Sequence, residues 1–226
     1  MRFAVYASPA ADDPMLAIME QWLGRSAFGH DVSPDPGPFS QPDHESLAKS
    51  RARYGFHATM VAPFLLAENA TKFDLKSNLS TFGRTAAPVD VGPLKIATFG
   101  RYLALVPVEQ PQALTDLAQA LVEHTQSLRA PLTQAEFDRR NTPDLSPRRR
   151  ELLKRWGYAA TEEEFKFHLT LAGPVDPPLL DQGRDYLQDL LAPFLAKPFL
   201  IDAVYLFCEP EPPGPFHIAD QWQLAG

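Results

Sequence analysis

One short pattern constrains this chain more than any other, because it occurs twice. Phe56-His57-Ala58-Thr59-Met60 returns as Phe167-His168-Leu169-Thr170-Leu171, inside the runs GFHATMVAPF and EFKFHLTLAG. Both runs read as strands, and a strand turns alternate side chains to opposite faces. His57 and Thr59 then share one face, with Phe56, Ala58 and Met60 on the other. The second copy sets His168 and Thr170 opposite Phe167, Leu169 and Leu171. Each strand buries its apolar face and offers an imidazole and a hydroxyl on its polar one. A single His-x-Thr means little, since most strand histidines are ordinary half-buried side chains with one hydrogen-bond partner. Two histidines with the same neighbours on both sides are a different matter. By composition, a given His meets that pattern well under about one time in a hundred.

The order of elements around the pattern repeats as well. In the first half, residues 2–7 (RFAVYA) alternate like a strand. Residues 14–24 read as a helix, with Asp13 as cap, Pro14 at its first position and Gly24 at its end. Residues 33–41 are rich in Pro, Gly and Ser and read as loop. After the first motif strand, residues 71–83 have helical spacing, and residues 89–99 read as a strand broken near Gly92-Pro93. In the second half, RYLALVPV from Arg101 is a strand. Residues 111–128 form the clearest amphipathic helix, with Leu114, Leu117, Ala118, Leu121 and Val122 on one stripe. After the second motif strand, residues 177–195 are helical behind Asp176, residues 199–208 are a strand, and residues 216–224 add a last one.

Strand, helix, motif strand, helix, strand thus occurs twice. The fold class expected is α+β: a duplicated, bilobal arrangement of two mainly antiparallel sheets facing across a central cleft, with helices outside. The whole of residues 1–226 is expected to form a single bilobal domain, with approximate repeat units 1–100 and 101–226. A long segment precedes each motif strand, residues 25–53 and 130–161. The second carries the capping-box pattern Thr133-Gln134-Ala135-Glu136 and a helix from Ser146-Pro147 to Gly157. Arg139, Arg140, Arg148, Arg149, Arg150, Lys154 and Arg155 make it strongly basic. Such a run is commonly a solvated helical face; the alternative is a rim that steers an anion into the cleft.

Composition removes several classes. Of 226 residues, 45% are hydrophobic, which fits a globular chain. The formal net charge of −7 supplies no global field for nucleic acid. An anionic substrate must be attracted locally. Cys208 is the only cysteine, so no intrachain disulfide forms, and its apolar setting, VYLFCEP, suits a buried inert thiol. No signal peptide and no run of membrane-spanning length is recognised, so the expectation is a soluble, cytoplasmic protein. No P-loop, G-x-S-x-G or dinucleotide fingerprint is present.

The motif residues suit phosphoryl chemistry. Opening a phosphodiester needs a base for the attacking water and an acid for the leaving alkoxide. Imidazole, with an ordinary pKa near 6.5, serves as either. Two histidines on opposite sides of an in-line attack divide the roles, and threonine hydroxyls can donate to the non-bridging oxygens as charge builds. Composition and spacing leave open which histidine is acid and which is base. No metal is required: His30, His44, His124 and His217 lack clustered ligand spacing. Lys166 falls on the His168 face as a candidate phosphate contact, with an edge lysine in solvent as the alternative. Tyr54, Arg53 and Tyr6 are further candidate substrate contacts.

The duplicated pattern resembles the two-histidine (2H) phosphoesterase superfamily, named for its two His-x-Thr/Ser motifs in a duplicated bilobal fold. The match extends over nearly the whole chain. RFAVYA, ARYGFHATMVAPF, APLTQAE, LLKRWGY and EFKFHLTLAG are most similar to a branch associated with phosphonate-utilisation operons. The resemblance implies His57 and His168 as the acid/base pair, Thr59 and Thr170 as phosphate binders, and no cofactor. It implies hydrolysis of a small cyclic phosphodiester, with 5-phosphoribosyl 1,2-cyclic phosphate as the foremost substrate. An RNA end bearing a 2′,3′-cyclic phosphate is the runner-up, and a non-catalytic phosphate- or nucleotide-binding protein the third reading. Two departures stand out. Met60-Val61 replace the branch's Leu-Lys, with Val61 expected on the His57 face. Gly173 stands where many superfamily members carry Arg.

Overall fold

The computed structural model describes the backbone of residues 1–226 and the side chains of all of them except residues 49 and 50. The strands, in chain order, are β1 (Arg2–Ala7), β2 (Ala58–Phe64), β3 (Val89–Gly92), β4 (Leu94–Phe99), β5 (Tyr102–Pro107), β6 (Leu169–Ala172), β7 (Phe199–Ile201), β8 (Ala203–Glu209) and β9 (His217–Gln223). The helices are α1 (Pro14–Leu23), α2 (Gln41–Ala52), α3 (Lys72–Thr85), α4 (Gln112–Thr125), α5 (Gln134–Arg140), α6 (Pro147–Trp156) and α7 (Pro177–Leu195). The fold is α+β, and every strand pairing described is antiparallel.

The large sheet runs β4-β5-β6-β2-β1-β8-β9, while β3 and β7 form a small sheet of their own. The order explains the repeat. β6 and β2 carry the two motifs and lie at the middle, each flanked by the first strand of its own half, β5 or β1. The outer strands, β4 beyond β5 and β8 and β9 beyond β1, come from the opposite half in sequence. The motif strands touch as ladder partners at one pair, Ala58 and Leu169. The two antiparallel groups expected from the sequence are therefore joined edge to edge at a single point.

Strand β1 shows why the apolar run at the start matters. Phe3, Val5 and Ala7 join the main core beneath the helices, while Ala4 and Tyr6 join a smaller cluster with Tyr205, Phe207 and Phe216 on the other face. A strand covered on both faces reads as nearly continuous hydrophobic sequence. The amphipathic stripe of α4 is buried through Leu114, Leu117, Ala118, Leu121 and Val122, and the helix packs on β2. Each such leucine contributes roughly 1.5–3 kcal/mol by leaving water. Helix α2 packs on β6, α4 on β2 and α7 on β4 and β5, so α2 and α4 each support the motif strand of the other half.

Local signals place most boundaries. The Asp13 carboxylate accepts from the Met15 N–H, and Gly24 closes α1 with φ 66°. Thr133 and Glu136 form the reciprocal capping box of α5, and Ser146 caps α6. The expected strand over 89–99 is two strands, broken at Pro93, and that over 199–208 breaks at Asp202. Within the segment 25–53, read without a helix, α2 forms. Ser40 caps it, but only His44, Leu47 and Ala48 are buried among its described side chains, so it lacks an apolar stripe.

Both motif strands carry a bulge straight after the threonine. Tyr6 pairs with Thr59, but Val5 pairs with Val61; Ala104 pairs with Thr170, but Leu103 pairs with Ala172. One extra residue, Met60 or Leu171, reverses the alternation beyond that point. Val61 is consequently fully buried in the main core, not on the His57 face where strict alternation puts it. Gly173, in place of the arginine, has φ 101°, and a Cβ there would collide with the Arg101 carbonyl oxygen. The backbone at that point has no room for any side chain.

Candidate active site

The alternation holds around both histidines. Phe56, Ala58 and Met60 are buried, as are Phe167, Leu169 and Leu171, while His57, Thr59, His168 and Thr170 are each half-buried on the opposite face. All four line one cavity of about 240 Å³ together with Tyr6, Tyr54, Arg51 and Tyr158. A second cavity of about 440 Å³ opens beside it, sharing Thr59, Thr170, His168, Arg51 and Tyr158 and adding Lys166, Arg149, Phe99 and Tyr102. The histidines stand just before β2 and β6, at the point where the two strands meet.

The two rings are held in the same way. His57 Nδ1 lies 3.0 Å from the Gly55 carbonyl oxygen, and His168 Nδ1 lies 2.8 Å from that of Lys166. A carbonyl only accepts, so each Nδ1 carries a proton and donates it. Each Nε2 is then the nitrogen left for chemistry. His57 Nε2 lies 3.5 Å from Thr59 Oγ1, at the limit of a hydrogen bond.

Their surroundings differ. The Tyr6 ring stacks on His57 with centroids 3.9 Å apart and planes 24° from parallel, and Tyr54 and Phe207 stand 5.9 and 6.0 Å away. At the corresponding place beside Thr170, β5 offers Ala104. Burial under these rings is the main cause that lowers the His57 pKa to about 4. The Gly55 hydrogen bond opposes it, and the positive charges of His168 and Arg51 add to it. Burial also raises the phenols of Tyr6 and Tyr158, which remain O–H donors at neutral pH.

Of the side chains singled out in the sequence, His57, His168, Thr59, Thr170, Tyr54 and Tyr6 meet in the smaller cavity, and Lys166 lines the adjoining one. Arg53 does not join them. Its guanidinium pairs with the buried carboxylate of Glu209 and donates to the Gly214 carbonyl at 2.9 Å. It ties the segment before the motif to β8 and is a structural cation. Three lining residues carry no mark in the motif: Arg51, Tyr158 and Arg149. Arg51 reaches the site because α2 brings it there, with its guanidinium 5.3 Å from the Tyr102 ring centroid. Arg51 is a cation that lines both cavities. Tyr158 belongs to LLKRWGY, whose placement depends on how the 130–161 segment folds back.

Among the described residues no group of three or more His, Cys, Asp or Glu is arranged to hold a metal ion, and no helix is long and apolar enough to cross a membrane. Cys208 is free and buried, and burial pushes its thiol pKa up.

Among solved structures, the chain is similar over its whole length to TT0787 of Thermus thermophilus, with 16% identity, a TM-score of 0.48 and 99% of that chain covered. It is also similar to E. coli LigT complexed with 3′-AMP, with 13% identity, a TM-score of 0.46 and 98% of that chain covered. Two curated relatives named ribose 1,5-bisphosphate phosphokinase PhnN match more closely in sequence. The one from Janthinobacterium sp. (strain Marseille) is 32% identical over 236 residues, which is 98% of this chain and 50% of that protein. The one from Laribacter hongkongensis (strain HLHK9) is 32% identical over 222 residues, 96% of this chain and 50% of that protein. The chain spans about half the length of the curated relatives it matches. A family model described as a protein of unknown function (DUF1045) matches residues 59–217, most of the chain, and the chain belongs to that family.

Proposed function

We propose that this chain is a metal-independent phosphodiesterase of the two-histidine type, which opens a small cyclic phosphodiester to a phosphate monoester. The observation that carries the reading is the paired geometry. Both imidazoles spend Nδ1 on a backbone carbonyl two residues back and share one cavity with the two motif threonines.

The asymmetry of the pair divides the roles. His57, stacked under Tyr6 and neutral at physiological pH, acts as the base: its Nε2 takes a proton from water as the water oxygen attacks phosphorus. His168, with a proton on Nε2, acts as the acid and gives that proton to the ring oxygen as its bond to phosphorus breaks. One water is consumed; a hydroxyl and a phosphate monoester result. The Thr59 and Thr170 hydroxyls donate to the non-bridging oxygens, and Arg51 offsets the charge that builds there. The cavity is lined by hydroxyls, imidazoles and a guanidinium, a donor set for an oxyanion and not for a hard cation.

The foremost substrate is 5-phosphoribosyl 1,2-cyclic phosphate. The half-length match to proteins named for acting on ribose 1,5-bisphosphate supports a phosphorylated ribose. This chain has no P-loop and no kinase signature of its own, so it is not the part expected to phosphorylate. The test is turnover of that ester, of 2′,3′-cyclic nucleotides and of RNA ends by purified protein in EDTA. A cyclic ribose phosphate should be consumed fastest; preference for RNA ends would move the reading to the runner-up, and binding without turnover to the third.

A further inference from the structure

A third cavity, of about 440 Å³, adjoins the histidine cavity and shares Tyr54, Ala62, Pro63 and Tyr158 with it. Four arginines line it: Arg2 from β1, Arg139 and Arg140 from the end of α5, and Arg149 from α6. No carboxylate does. We infer that this arginine cavity is a second anion subsite, which binds a phosphate monoester carried by the same substrate whose cyclic ester lies between the histidines. The inference rests on the proposed function for that pairing, but not for the subsite itself.

Two groups of arginines here differ in how they are balanced. Arg148 is satisfied by carboxylates: it pairs with Glu151 at 2.9 Å, with Glu162 at 2.5 Å and with Glu163 at 2.5 Å. Arg155 also faces Glu162. That group is a salt-bridged outer face. The cavity group is not balanced in this way. Arg2 and Arg149 have one carboxylate each, Glu209 at 2.5 Å and Glu164 at 2.8 Å. Arg140 donates to a neutral group, the Gly157 carbonyl, at 2.6 Å. Arg139 is exposed and makes no ion pair among the described residues. Glu136, whose charge is felt by Arg140, spends its carboxylate on the Thr133 cap.

Burial lowers the Arg140 pKa, Glu136 opposes this, and the like charges of Arg139 and Arg2 add to the lowering. Guanidiniums gathered round a partly enclosed space repel one another until an anion enters, and their forked donors match phosphate oxygens in pairs. Tyr54 and Tyr158 stand on the shared wall. A ligand with one phosphate in each cavity would cross this wall. This selects a sugar bearing both a cyclic phosphodiester and a separate phosphate monoester.

The test is calorimetric titration of ribose 5-phosphate, with inorganic phosphate as a control, into the His57→Ala/His168→Ala protein and into the same protein carrying Arg139→Glu. Arg139 is exposed, so the fold tolerates the change, and melting curves check this. Ribose 5-phosphate should bind the first protein, and Arg139→Glu should weaken it at least about tenfold, the worth of one charge-assisted hydrogen bond. Arg139→Gln should fall between. Absence of binding, or affinity unchanged within about twofold by Arg139→Glu, overturns the subsite. In protein with both histidines intact, Arg139→Glu should cut the kcat/KM preference for a cyclic ester with a distal phosphate over one without it by at least about tenfold. If neither ester is turned over while ribose 5-phosphate binding depends on Arg139, the proposed activity fails and the subsite stands.

Discussion

The Tyr6 ring lies flat on His57, 3.9 Å between centroids, while Ala104 occupies the equivalent register position beside Thr170. The first copy of the strand pair thus covers its histidine with an aromatic ring where the second offers only a methyl group. It leaves His57 neutral at physiological pH and ready to accept a proton.

Burial lowers His57 to about 4, so the acid limb of kcat/KM should fall with a midpoint near 4. Tyr6→Ala uncovers the ring and should move that midpoint toward the ordinary value near 6.5. The variant loses about 3–5 kcal/mol of stability, so the profile is taken well below its melting temperature. NMR titration of the His57 ring provides the same number without substrate. A ring that titrates near 6.5 in the parent protein contradicts the assignment of His57 as the buried base.

Acid should destabilise the fold in two separate windows. The His57 pKa is depressed on folding, so its contribution is complete above about 6.5 and lost as pH falls through about 4. Burial alone would raise the Glu209 carboxyl, but hydrogen bonds from Arg2, Arg53 and the Gly214 N–H outweigh it and lower its pKa to about 2. Its contribution is present above about 4.3 and lost as pH falls toward 2. Urea midpoints measured from neutral to strongly acid pH should show both. His57→Gln should remove the upper slope and Glu209→Gln the lower. A midpoint independent of pH between about 6.5 and 4 in the parent protein would count against the His57 half.

Thr59→Ala and Thr170→Ala should each reduce kcat by less than either histidine change, since each removes one hydrogen bond and leaves proton transfer intact. About tenfold is the expected size, with melting temperatures close to the parent because both side chains are half-exposed. The histidine pair should behave as one unit. His57→Ala/His168→Ala should lose less than the product of the single losses, because both groups serve one transition state.

Chelation should leave the rate unchanged. No carboxylate lines the 240 Å³ cavity, and its cations are side chains. Dialysis against EDTA, followed by assay with and without added Mg²⁺, Mn²⁺ or Zn²⁺, measures this directly. Loss in EDTA with recovery on metal addition would refute the metal-independent mechanism.

Much of the site is legible in the sequence because strand alternation is a strict geometric rule over short spans. His57 with Thr59, and His168 with Thr170, lie within one repeat of it, before either bulge. Val61 lies one residue past the bulge, and there the rule inverts; nothing in Met60-Val61 announces the extra residue. Lys166 and Tyr54 are readable as neighbours of the motif, but Arg53, next to Tyr54, turns away to Glu209. That carboxylate is 156 residues distant in sequence, and pairings at such separation have no local signal. Arg51 is hidden with α2. That helix has a cap but no apolar stripe, so only tertiary packing on β6 reveals it. The joining of the two sheet groups at Ala58 and Leu169 likewise depends on strand order, which repeats in sequence do not encode.

The most direct test of the central claim follows 5-phosphoribosyl 1,2-cyclic phosphate by ³¹P NMR with the parent protein, His57→Ala and His168→Ala, all in EDTA. The parent should convert the cyclic resonance to that of a phosphate monoester. Each single variant should be slower by about 10²–10⁴, the usual worth of a positioned acid or base, with its fold intact. Near-parental conversion by either variant would contradict the two-histidine mechanism.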